Sequence, residues 1–404
     1  MANDKQNTSP NVPNKREQSG IYSGYAERGV LRPQGNVPNL RFPEFSGEWK
    51  TMFIGDILKI GNGKDYKLLN TGCFPVFGTG GYMLSVDDFL YDGESVFIGR
   101  KGTINKPFYY SGKFWTVDTL FYTHSFNEVL PKFVYGLFQN INWDLYNEAS
   151  GVPSLSKSTI EKIRCTIPTI QEQSKIADLL FLLDRRIDTQ NKIIKDLRKL
   201  KVAICNRLLN NKTLLDKTAP LSKFGDLKNG YAFKSSAYVP NGNYNIITIA
   251  NVSGDREIVT DNCNTISSVP TDIQSHQVLK SSDILISLTG NVGRVSLNKG
   301  NNNLLNQRVG LFVPNNSISS EFLYQTLSFV QFENSMINLA QGAAQLNIGK
   351  GDVESYQVRY SENEHLISQI TQILLGYDKK IEIENKYLQS LLAQKSYLLS
   401  NMFI

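Results

Sequence analysis

The feature that most constrains this chain is a segment that it contains twice. The sequence DRRIDTQNK at 184–192 returns as DKKIEIENK at 378–386, after an offset of 194 residues in a chain of 404. Both copies place two basic residues after an aspartate, and both end in Asn-Lys. Because a segment repeated at long range indicates a duplicated structural unit, the sequence predicts a protein built from two related halves.

Each copy lies within a long heptad pattern. Apolar residues alternate at spacings of four and three, and the same slots recur after 194 residues: Ile176, Leu180, Leu183, Ile187, Ile194, Leu197, Ile204 and Leu208, then Ile370, Leu374, Tyr377, Ile381, Leu388, Leu391, Leu398 and Met402. Two slots of each pattern are polar, Gln190 and Lys201 in the first and Glu384 and Lys395 in the second. A heptad pattern of this length predicts long helices that pack through a narrow seam.

The order of the segments predicts that the two helices pair antiparallel, because the first enters a globular stretch and the second returns from it. Buried polar groups cost free energy unless they are paired, and a polar seam residue can fix the register. We therefore predict the register that opposes Gln190 to Lys395 and Lys201 to Glu384. Ile187 and Ile381 are the apolar candidates for helix pairing in the same region.

The stretches that precede the helices resemble each other. Both begin with a Gly-Asp step and soon reach Asn-Gly, and both contain an apolar strand with a glycine-bearing turn: FIGDILKIGNG (53–63) with ESVFIGRKGTINK (94–106), and KFGDLKNG (223–230) with SDILISLTGNVGR (282–294). Gly102 corresponds to Gly290, and Lys106 to Arg294, at an offset of 188. Alternating apolar runs between turn clusters are typical of strands.

We therefore predict an α+β protein in which two similar globular domains are joined and spaced by two long antiparallel coiled-coil helices, a pseudo-two-fold internal repeat. The expected boundaries are a disordered leader, a first globular domain, a first long helix, a second globular domain and a second long helix: 1–40, 41–168, 169–212, 213–362 and 363–404. The leader is rich in Asn, Pro, Ser and Gly and lacks the apolar segment of a secretory signal.

Composition and motifs exclude several classes of protein. No apolar run is long enough to span a membrane. The four cysteines (Cys73, Cys165, Cys205 and Cys263) have no paired spacing, which predicts reduced thiols in a cytoplasmic protein. The three histidines (His124, His276 and His365) have no metal-ligand spacing, and the chain has neither a Walker phosphate loop nor a G-x-S-x-G elbow. We therefore expect a binding protein without catalytic residues, bound metal or cofactor.

Two acid-free stretches predict contact with DNA. Residues 95–117 and 284–320 contain no Asp or Glu but several basic residues and asparagines, in a chain of net charge +6. Cations neutralise phosphates, while Arg, Asn and Gln can pair with base edges in the major groove. The candidates are Arg100, Lys101, Asn105, Lys106 and Lys113 in the first domain, and Asn291, Arg294, Asn306, Gln307 and Arg308 in the second.

Several segments resemble the specificity subunit of Type I restriction–modification systems, over almost the whole chain after residue 40. They are RFPEFSGEWK (41–50), GVPSLSKSTIEKIRCTIPTIQEQSKIADLL (151–180) and LDRRID (183–188). The first helix carries Glu172-Gln173 just before the seam begins, whereas SENEHLISQI (361–370) in the second copy has no Glu-Gln pair at the aligned position.

The resemblance implies a non-catalytic subunit with two target recognition domains, each reading one half of a split sequence in double-stranded DNA. The helices would set the gap and dock two adenine-N6 methyltransferase subunits, and motor and nuclease subunits would complete the complex. S-adenosylmethionine, ATP and magnesium would be bound by those partner subunits.

Three other interpretations stay open at this point. A nucleic-acid enzyme would need an intact catalytic centre, for which the sequence has no motif. A coiled-coil scaffold that does not bind DNA predicts no salt-dependent DNA affinity. The recognition subunit of a related restriction system would differ only in its partners.

Overall fold

The computed structural model of the protein describes residues 35–341 and 346–404, which divide into two compact units. The first, unit 1, runs to Asp184 and also takes in Ala393–Ile404, whereas unit 2 spans Arg185–Leu392. Each unit therefore contains a mixed domain of strands and short helices together with parts of both long helices. The domain boundaries given above stay predictions.

Unit 1 is built around a six-stranded sheet. The strands and short helices are β1 (Lys50–Phe53), α1 (Ile54–Ile57), β2 (Lys59–Asn62), β3 (Thr71–Gly78), β4 (Gly81–Val86), β5 (Tyr91–Gly99), β6 (Phe108–Thr116), β7 (Leu120–His124), α2 (Pro131–Asn140), α3 (Lys157–Glu161) and β8 (Arg164–Ile167). The sheet has the order β2-β7-β5-β6-β3-β4, in which only β3 and β6 are parallel. Strands β1 and β8 form a separate antiparallel pair.

Strand β5 shows how the apolar pattern of unit 1 builds two cores. Because successive side chains of a strand point to opposite faces, Val96 and Ile98 enter the core beneath α2, while Phe97 enters a cluster of aromatic rings on the other face. All three side chains are fully buried. Helix α2 covers the first face with Phe133 and Leu137. Because the sheet is packed on both faces, it holds the loops at its edges in fixed positions.

Unit 2 repeats this topology, with shorter counterparts of β3, β4, β5 and β6. Its elements are β9 (Lys217–Pro220), β10 (Gly225–Asn229), β11 (Tyr244–Ile247), β12 (Asn264–Ile266), β13 (Ile284–Ser287), β14 (Val295–Leu297), β15 (Asn303–Leu305), β16 (Val309–Pro314), α5 (Ser320–Leu327), α6 (Val330–Ala340), α7 (Lys350–Glu354) and β17 (Gln357–Tyr360). The sheet β10-β16-β13-β14 corresponds to β2-β7-β5-β6, and the sheet β12-β11-β15, with its parallel pair, corresponds to β4-β3-β6. Residues 298–302 divide the counterpart of β6 into β14 and β15. The prediction of two similar α+β domains is confirmed.

The two long helices, α4 (Ile170–Leu209) and α8 (Glu364–Met402), form where the heptad patterns predict them. Every predicted seam position, apolar or polar, is buried or half-buried. Within unit 2 the helices are antiparallel, because Gln190 contacts Glu384 whereas the later Lys201 contacts the earlier Asp378. In the part of the chain that the structure describes, no helix combines the length and the apolar content needed to cross a membrane.

The predicted register of the seam is wrong. Gln190 donates to the backbone carbonyl of Glu384 at 3.0 Å, and Lys201 lies 2.5 Å from Asp378. Lys395, the residue predicted to face Gln190, forms an ion pair with Asp184 in unit 1. The prediction considered only polar residues inside the seam, whereas the two aspartates flank it. The observed register gives both half-buried ammonium groups a carboxylate, whereas the predicted register would have given Lys395 only the Gln190 amide.

The Glu172-Gln173 pair joins the first turn of α4 to the domain of unit 1. The Glu172 carboxylate, only 1% exposed, accepts two hydrogen bonds of 2.8 Å from the Arg41 guanidinium and one of 3.3 Å from the Trp49 indole. Gln173 accepts from the backbone N–H of Leu130 at 2.8 Å and donates to the carbonyl of Glu128 at 2.9 Å. These two side chains therefore fix the domain to the helix.

Residues 35–40, which belong to the predicted disordered leader, contact the rest of unit 1 instead. Asn36 accepts a backbone hydrogen bond from Trp49 at 2.7 Å, and Leu40 donates one to Asn401 at 2.8 Å, so residues 35–40 pack on unit 1. The expectation of disorder missed this because it rested on composition alone. Residues 1–34 of the predicted leader lie outside the described residues.

The ion pair between Asp184 and Lys395 gives a direct test of the register. We expect Lys395→Asp to lower the free energy of unfolding by about 2 kcal/mol, because it places two carboxylates together in a largely buried position. Adding Asp184→Lys should recover most of the loss by reversing the pair. The midpoint of urea unfolding of the full chain measures both effects.

The exposed Lys192 provides the matched control, since Lys192→Asp should change stability by less than about 0.5 kcal/mol. A double variant that is less stable than Lys395→Asp alone would show that these residues do not pair.

Candidate DNA interface

Three loops at one edge of the unit 1 sheet form a groove, here named groove 1. It is lined by Asn62, Arg100, Lys101, Phe121, Glu148, Ser154, Leu155, Ser156 and Lys157. These residues come from the end of β2, the turn after β5, strand β7 and the segment that leads into α3. The groove thus brings the first two predicted DNA-contacting residues together with a lysine from about 50 residues later in the chain.

Backbone hydrogen bonds hold the loops of groove 1 together. Leu155 donates to the carbonyl of Arg100 at 2.9 Å, and Gly102 donates to that of Pro153 at 2.8 Å. Arg100 in turn donates to the carbonyl of Thr119 at 2.8 Å. These backbone hydrogen bonds form the frame of the groove, and the Glu148 side chain adds to it by accepting a hydrogen bond of 3.2 Å from the backbone N–H of Ser156.

Unit 2 contains a second groove, groove 2, with the same frame. Ile348 donates to the carbonyl of Leu288 at 2.9 Å, Gly290 donates to that of Leu346 at 2.9 Å, and Leu288 donates to that of Arg308 at 3.1 Å. The lining residues are Asn229, Gly230, Leu288, Thr289, Gln307, Arg308, Asn347, Ile348, Gly349 and Lys350. Each of the three backbone bonds has its counterpart in groove 1.

The turns after β5 and β13 confirm the predicted correspondence of Gly102 with Gly290. Their φ angles are +88° and +71°, a backbone conformation that favours glycine. Lys101 and Thr289, the residues just before them, form equivalent antiparallel bridges to Ser154 and Asn347. The predicted offset of 188 residues therefore joins equivalent positions in the two units.

The two grooves differ in the side chains that their common frame presents. Groove 1 has Arg100 and Lys101 where groove 2 has Leu288 and Thr289. In groove 2 the cationic residue is instead Arg308, which occupies the position that Thr119 has in unit 1. The two grooves therefore offer different arrangements of charge and hydrogen-bonding groups.

Other lining residues are shared. Asn62 and Asn229 end the equivalent strands β2 and β10, and Lys157 and Lys350 begin the equivalent helices α3 and α7. Sequence reasoning missed all four, because it searched only the acid-free stretches. The matching Asn-Gly steps at the ends of β2 and β10 were the available signal.

The cations of groove 1 are only weakly neutralised. Lys157 lies 3.7 Å from Glu161, and both side chains are partly exposed. Burial, together with repulsion from Lys157 and Lys59, holds the pKa of the neighbouring His124 below its ordinary value. Among the described residues, neither Arg100 nor Lys101 forms an ion pair. This groove therefore carries net positive charge that is free to meet an anion.

Groove 2 holds its lysine more tightly. Lys350 is hydrogen-bonded to Asp226 and lies 3.5 Å from Glu354, and the bond to Asp226 raises the pKa of the lysine. Lys228 and Lys350 hold the pKa of Asp226 well below its ordinary value. Gln307 and Arg308 are exposed on the opposite loop.

The remaining candidates of unit 1 do not all lie together. Asn105 and Lys106 are exposed in the same β5–β6 loop as Arg100 and Lys101. Lys113 lies at the other end of the β5–β6 pair, opposite Asp92, with its ammonium 4.7 Å from the centre of the Phe89 ring. Residues of one acid-free stretch can therefore lie far apart, because antiparallel strands carry the chain away from the loop and back.

In unit 2, three candidates do not line the groove. Asn291 is exposed in the β13–β14 loop, and the Arg294 guanidinium is 3.3 Å from the Glu333 carboxylate on α6. Asn306 is half-buried, and its side-chain oxygen accepts a hydrogen bond of 3.2 Å from the backbone N–H of Arg308. Asn306 therefore shapes the turn that presents Gln307 and Arg308.

Within the described ranges, no group of three or more His, Cys, Asp or Glu side chains is arranged to hold a metal ion. The buried thiols of Cys165 and Cys205 have pKa values raised to about 11, chiefly by burial, so they remain protonated at neutral pH.

Comparisons with known proteins agree with the duplicated architecture. The family described as Type I restriction modification DNA specificity domain matches residues 46–199 and again residues 217–393. The MjaVIII type I restriction enzyme specificity subunit of Methanocaldococcus jannaschii is 25% identical over 359 residues, covering 76% of this chain and 80% of that relative. The EcoprrI specificity subunit of Escherichia coli is 22% identical over 179 residues, which is 42% of this chain and 44% of the relative.

A solved structure shares the fold. The crystal structure of the S subunit of a type I restriction–modification system from M. genitalium superposes with a TM-score of 0.61, at 16% identity, over 91% of this chain and 99% of that chain. Because the family matches twice and covers most of the sequence, the chain belongs to the family of type I restriction–modification specificity subunits.

Proposed function

We propose that the protein recognises a bipartite DNA target, with the domain of each unit reading one half. The observation that carries this proposal is the pair of grooves, which share a backbone frame and differ in the side chains they present. Contacts to phosphates position a protein on any duplex, whereas contacts to base edges distinguish one sequence from another. A common frame with different polar side chains is the arrangement expected for two unlike half-sites.

The candidates fall into two classes on this interpretation. The shared Lys157 and Lys350 suit phosphates, which every DNA half-site has. Arg100, Lys101 and Arg308, which differ between the grooves, suit base edges, and arginine commonly pairs with guanine through two hydrogen bonds. Asn105, Lys106, Asn291 and Gln307 extend the same loops and are further candidates for contact.

We also propose that α4 and α8 set the gap between the half-sites and dock two copies of a methyltransferase subunit. Exposed residues at equivalent positions of the repeated segment support this role: Arg185 and Lys379, Arg186 and Lys380, Lys192 and Lys386, and Ile193 and Tyr387. Seam residues at equivalent positions must stay similar because they pack between the helices. Packing sets no such requirement on exposed residues. Two identical partners require two equivalent surfaces, which would keep the exposed residues alike.

Specificity subunits of this family are non-catalytic, so the chemistry is assigned to partner subunits. An adenine-N6 methyltransferase that uses S-adenosylmethionine would extrude its target base from the duplex before modifying it. Motor and nuclease subunits that use ATP and magnesium would carry out restriction. This chain would contribute the choice of sequence and the placement of those subunits.

Groove 1 gives the first test of DNA binding. We expect the double variant Arg100→Ala, Lys101→Ala to weaken DNA binding by the complex about 30-fold or more, because each of the two lost contacts contributes about 1–3 kcal/mol. Its affinity should also depend less steeply on salt concentration. Fluorescence anisotropy with labelled duplex, measured at several salt concentrations, gives both quantities.

Assembly with the modification subunit should be unchanged in this variant, as judged by size-exclusion chromatography. Lys212→Ala, which removes an exposed lysine between α4 and β9, is the matched control. Wild-type affinity in the groove 1 variant would refute the assignment of Arg100 and Lys101.

The two grooves should control different halves of the target. We expect a map of N6-methyladenine from cells that coexpress this chain and its modification subunit to show one split motif. Arg308→Ala should relax base preference in one half, and Lys101→Ala should relax it in the other, because a lost base contact affects only the position it reads.

Methylation that requires both proteins but shows no split motif would contradict bipartite reading. A stable complex that neither methylates nor binds DNA would favour a scaffold instead.

A further inference from the structure

The second recognition domain is joined to the helices by a loop that has no equivalent of similar length in unit 1. Residues 248–263 connect β11 to β12, whereas the corresponding strands β3 and β4 are connected by Thr79–Gly80 alone. The long loop carries Arg256 to a contact with both α5 and α8. This loop therefore does more than reverse the direction of the chain.

Arg256 is surrounded by ionic and aromatic partners. Its guanidinium donates hydrogen bonds of 2.7 and 2.6 Å to the two carboxylate oxygens of Glu321 on α5, and one of 3.1 Å to Asp378 on α8. It also lies 4.9 Å from the centre of the Tyr324 ring. A planar guanidinium held by two carboxylates and an aromatic ring has little freedom to change orientation.

Asp378 is the centre of the cluster and is only 7% exposed. Besides Arg256, it accepts hydrogen bonds of 2.5 Å from the Lys201 ammonium and 2.6 Å from the Gln325 amide. The same carboxylate therefore holds the helix pair together through Lys201 and the recognition domain through Arg256 and Gln325. Removing one partner would leave buried charge uncompensated, so the loss of any of these contacts would be strongly destabilising.

The opposite charges of this cluster stabilise the ionised form of Arg256. Burial alone would lower the pKa of Arg256, but hydrogen bonding to Glu321 and the charges of Glu321 and Asp378 outweigh it and raise the pKa. In unit 1, the equivalent aspartate, Asp184, pairs with Lys395, and the two-residue β3–β4 turn carries no arginine. That domain is fixed to its helix by the Arg41–Glu172 pair instead.

We propose that Arg256 is a positioning residue that holds the second recognition domain in one orientation on the helix pair, and thereby makes the complex selective for the length of the gap between the half-sites. This inference rests on the proposed bipartite recognition. One added base pair turns the second half-site by about 35° and moves it by about 3.4 Å. Ile367, Ile370 and Leu374 of α8 also pack in the core of this domain, so loss of Arg256 leaves the domain attached to the helices. A domain fixed at Arg256 as well cannot follow that displacement, whereas a domain held by apolar contacts alone can tilt toward it.

The test uses the full chain in complex with its modification subunit and duplexes that contain the mapped target. Three duplexes differ only in the gap, which has the native length, one base pair more or one base pair fewer. We expect the wild-type complex to prefer the native gap by about 100-fold or more, since a displaced half-site loses several base contacts at once. Arg256→Ala should reduce that preference to about tenfold or less, and Arg256→Lys, which keeps the charge, should restore part of it.

Arg198→Ala is the matched control. Arg198 pairs at 3.6 Å with Asp255, the neighbour of Arg256 in the same loop, but both side chains are more than half exposed. This variant removes an ion pair between the loop and α4 without disturbing the buried cluster, so its gap preference should equal that of the wild type. If Arg256→Ala fails to fold, Glu321→Gln weakens the same contact while keeping the side-chain size, and the same loss of preference is expected.

A second measurement does not depend on DNA. Hydrogen exchange of the backbone amides in 248–263 should be faster in Arg256→Ala than in the wild type or in Arg198→Ala. A folded Arg256→Ala complex with undiminished gap preference would overturn this inference and leave bipartite recognition intact. A wild-type complex that binds no split target would overturn the proposed function itself, and unchanged exchange would overturn the fixing role of Arg256.

Discussion

The reciprocal pairing of aspartate and lysine along α4 and α8 is the interaction on which the rest of the structure depends. Asp184 pairs with Lys395, and Asp378 pairs with Lys201. Asp378 is the repeat equivalent of Asp184 and Lys395 that of Lys201, so the two pairs are equivalent under the 194-residue offset. Gln190 contacts Glu384, the residue at its own equivalent position. Such reciprocity is the contact pattern of an isologous interface, here formed by two segments of one chain. It explains why both copies keep their aspartates and lysines.

The recognition domains are fixed to these helices by chemically similar but unrelated contacts. In unit 1 a helix carboxylate, Glu172, receives an arginine from the segment before β1, whereas in unit 2 Asp378 receives Arg256 from the β11–β12 loop. Each contact buries a guanidinium against a carboxylate. The contacts that join each domain to the duplicated seam therefore differ between the halves, and the second helix has no Glu-Gln pair at the aligned position.

Sequence reasoning predicted the helices, the seam and the correspondence of Gly102 with Gly290, because local periodicity and turn chemistry determine those features. It failed on the register because Asp184 and Asp378 lie beside the seam, where a heptad pattern assigns no role. It also missed Lys157 and Lys350. These residues reach the grooves through chain folding from segments about 50 residues away, and proximity of that kind leaves no local pattern.

The candidate site was only partly predictable for a related reason. An acid-free stretch indicates where positive charge accumulates along the chain, and the hairpin β5–β6 then separates Lys113 from Arg100 by most of a strand length. Asn306 was predicted as a contact from its residue type, yet its carboxamide supports the turn before Arg308. Residue type and charge suggest the chemistry of a site, whereas pairing of strands decides which residues can share it.

The backbone frame of the grooves has a consequence for how such proteins change. Because backbone hydrogen bonds link the loops, a substitution at Lys101 alters what groove 1 presents while those bonds remain, whereas Thr289 also donates a side-chain hydrogen bond to Asn347 in groove 2. Under the proposed function, a substitution of this kind would change the preferred DNA sequence while the backbone frame remains. The same property would let the grooves of the two units present different side chains on one architecture, as the proposed reading of two unlike half-sites requires.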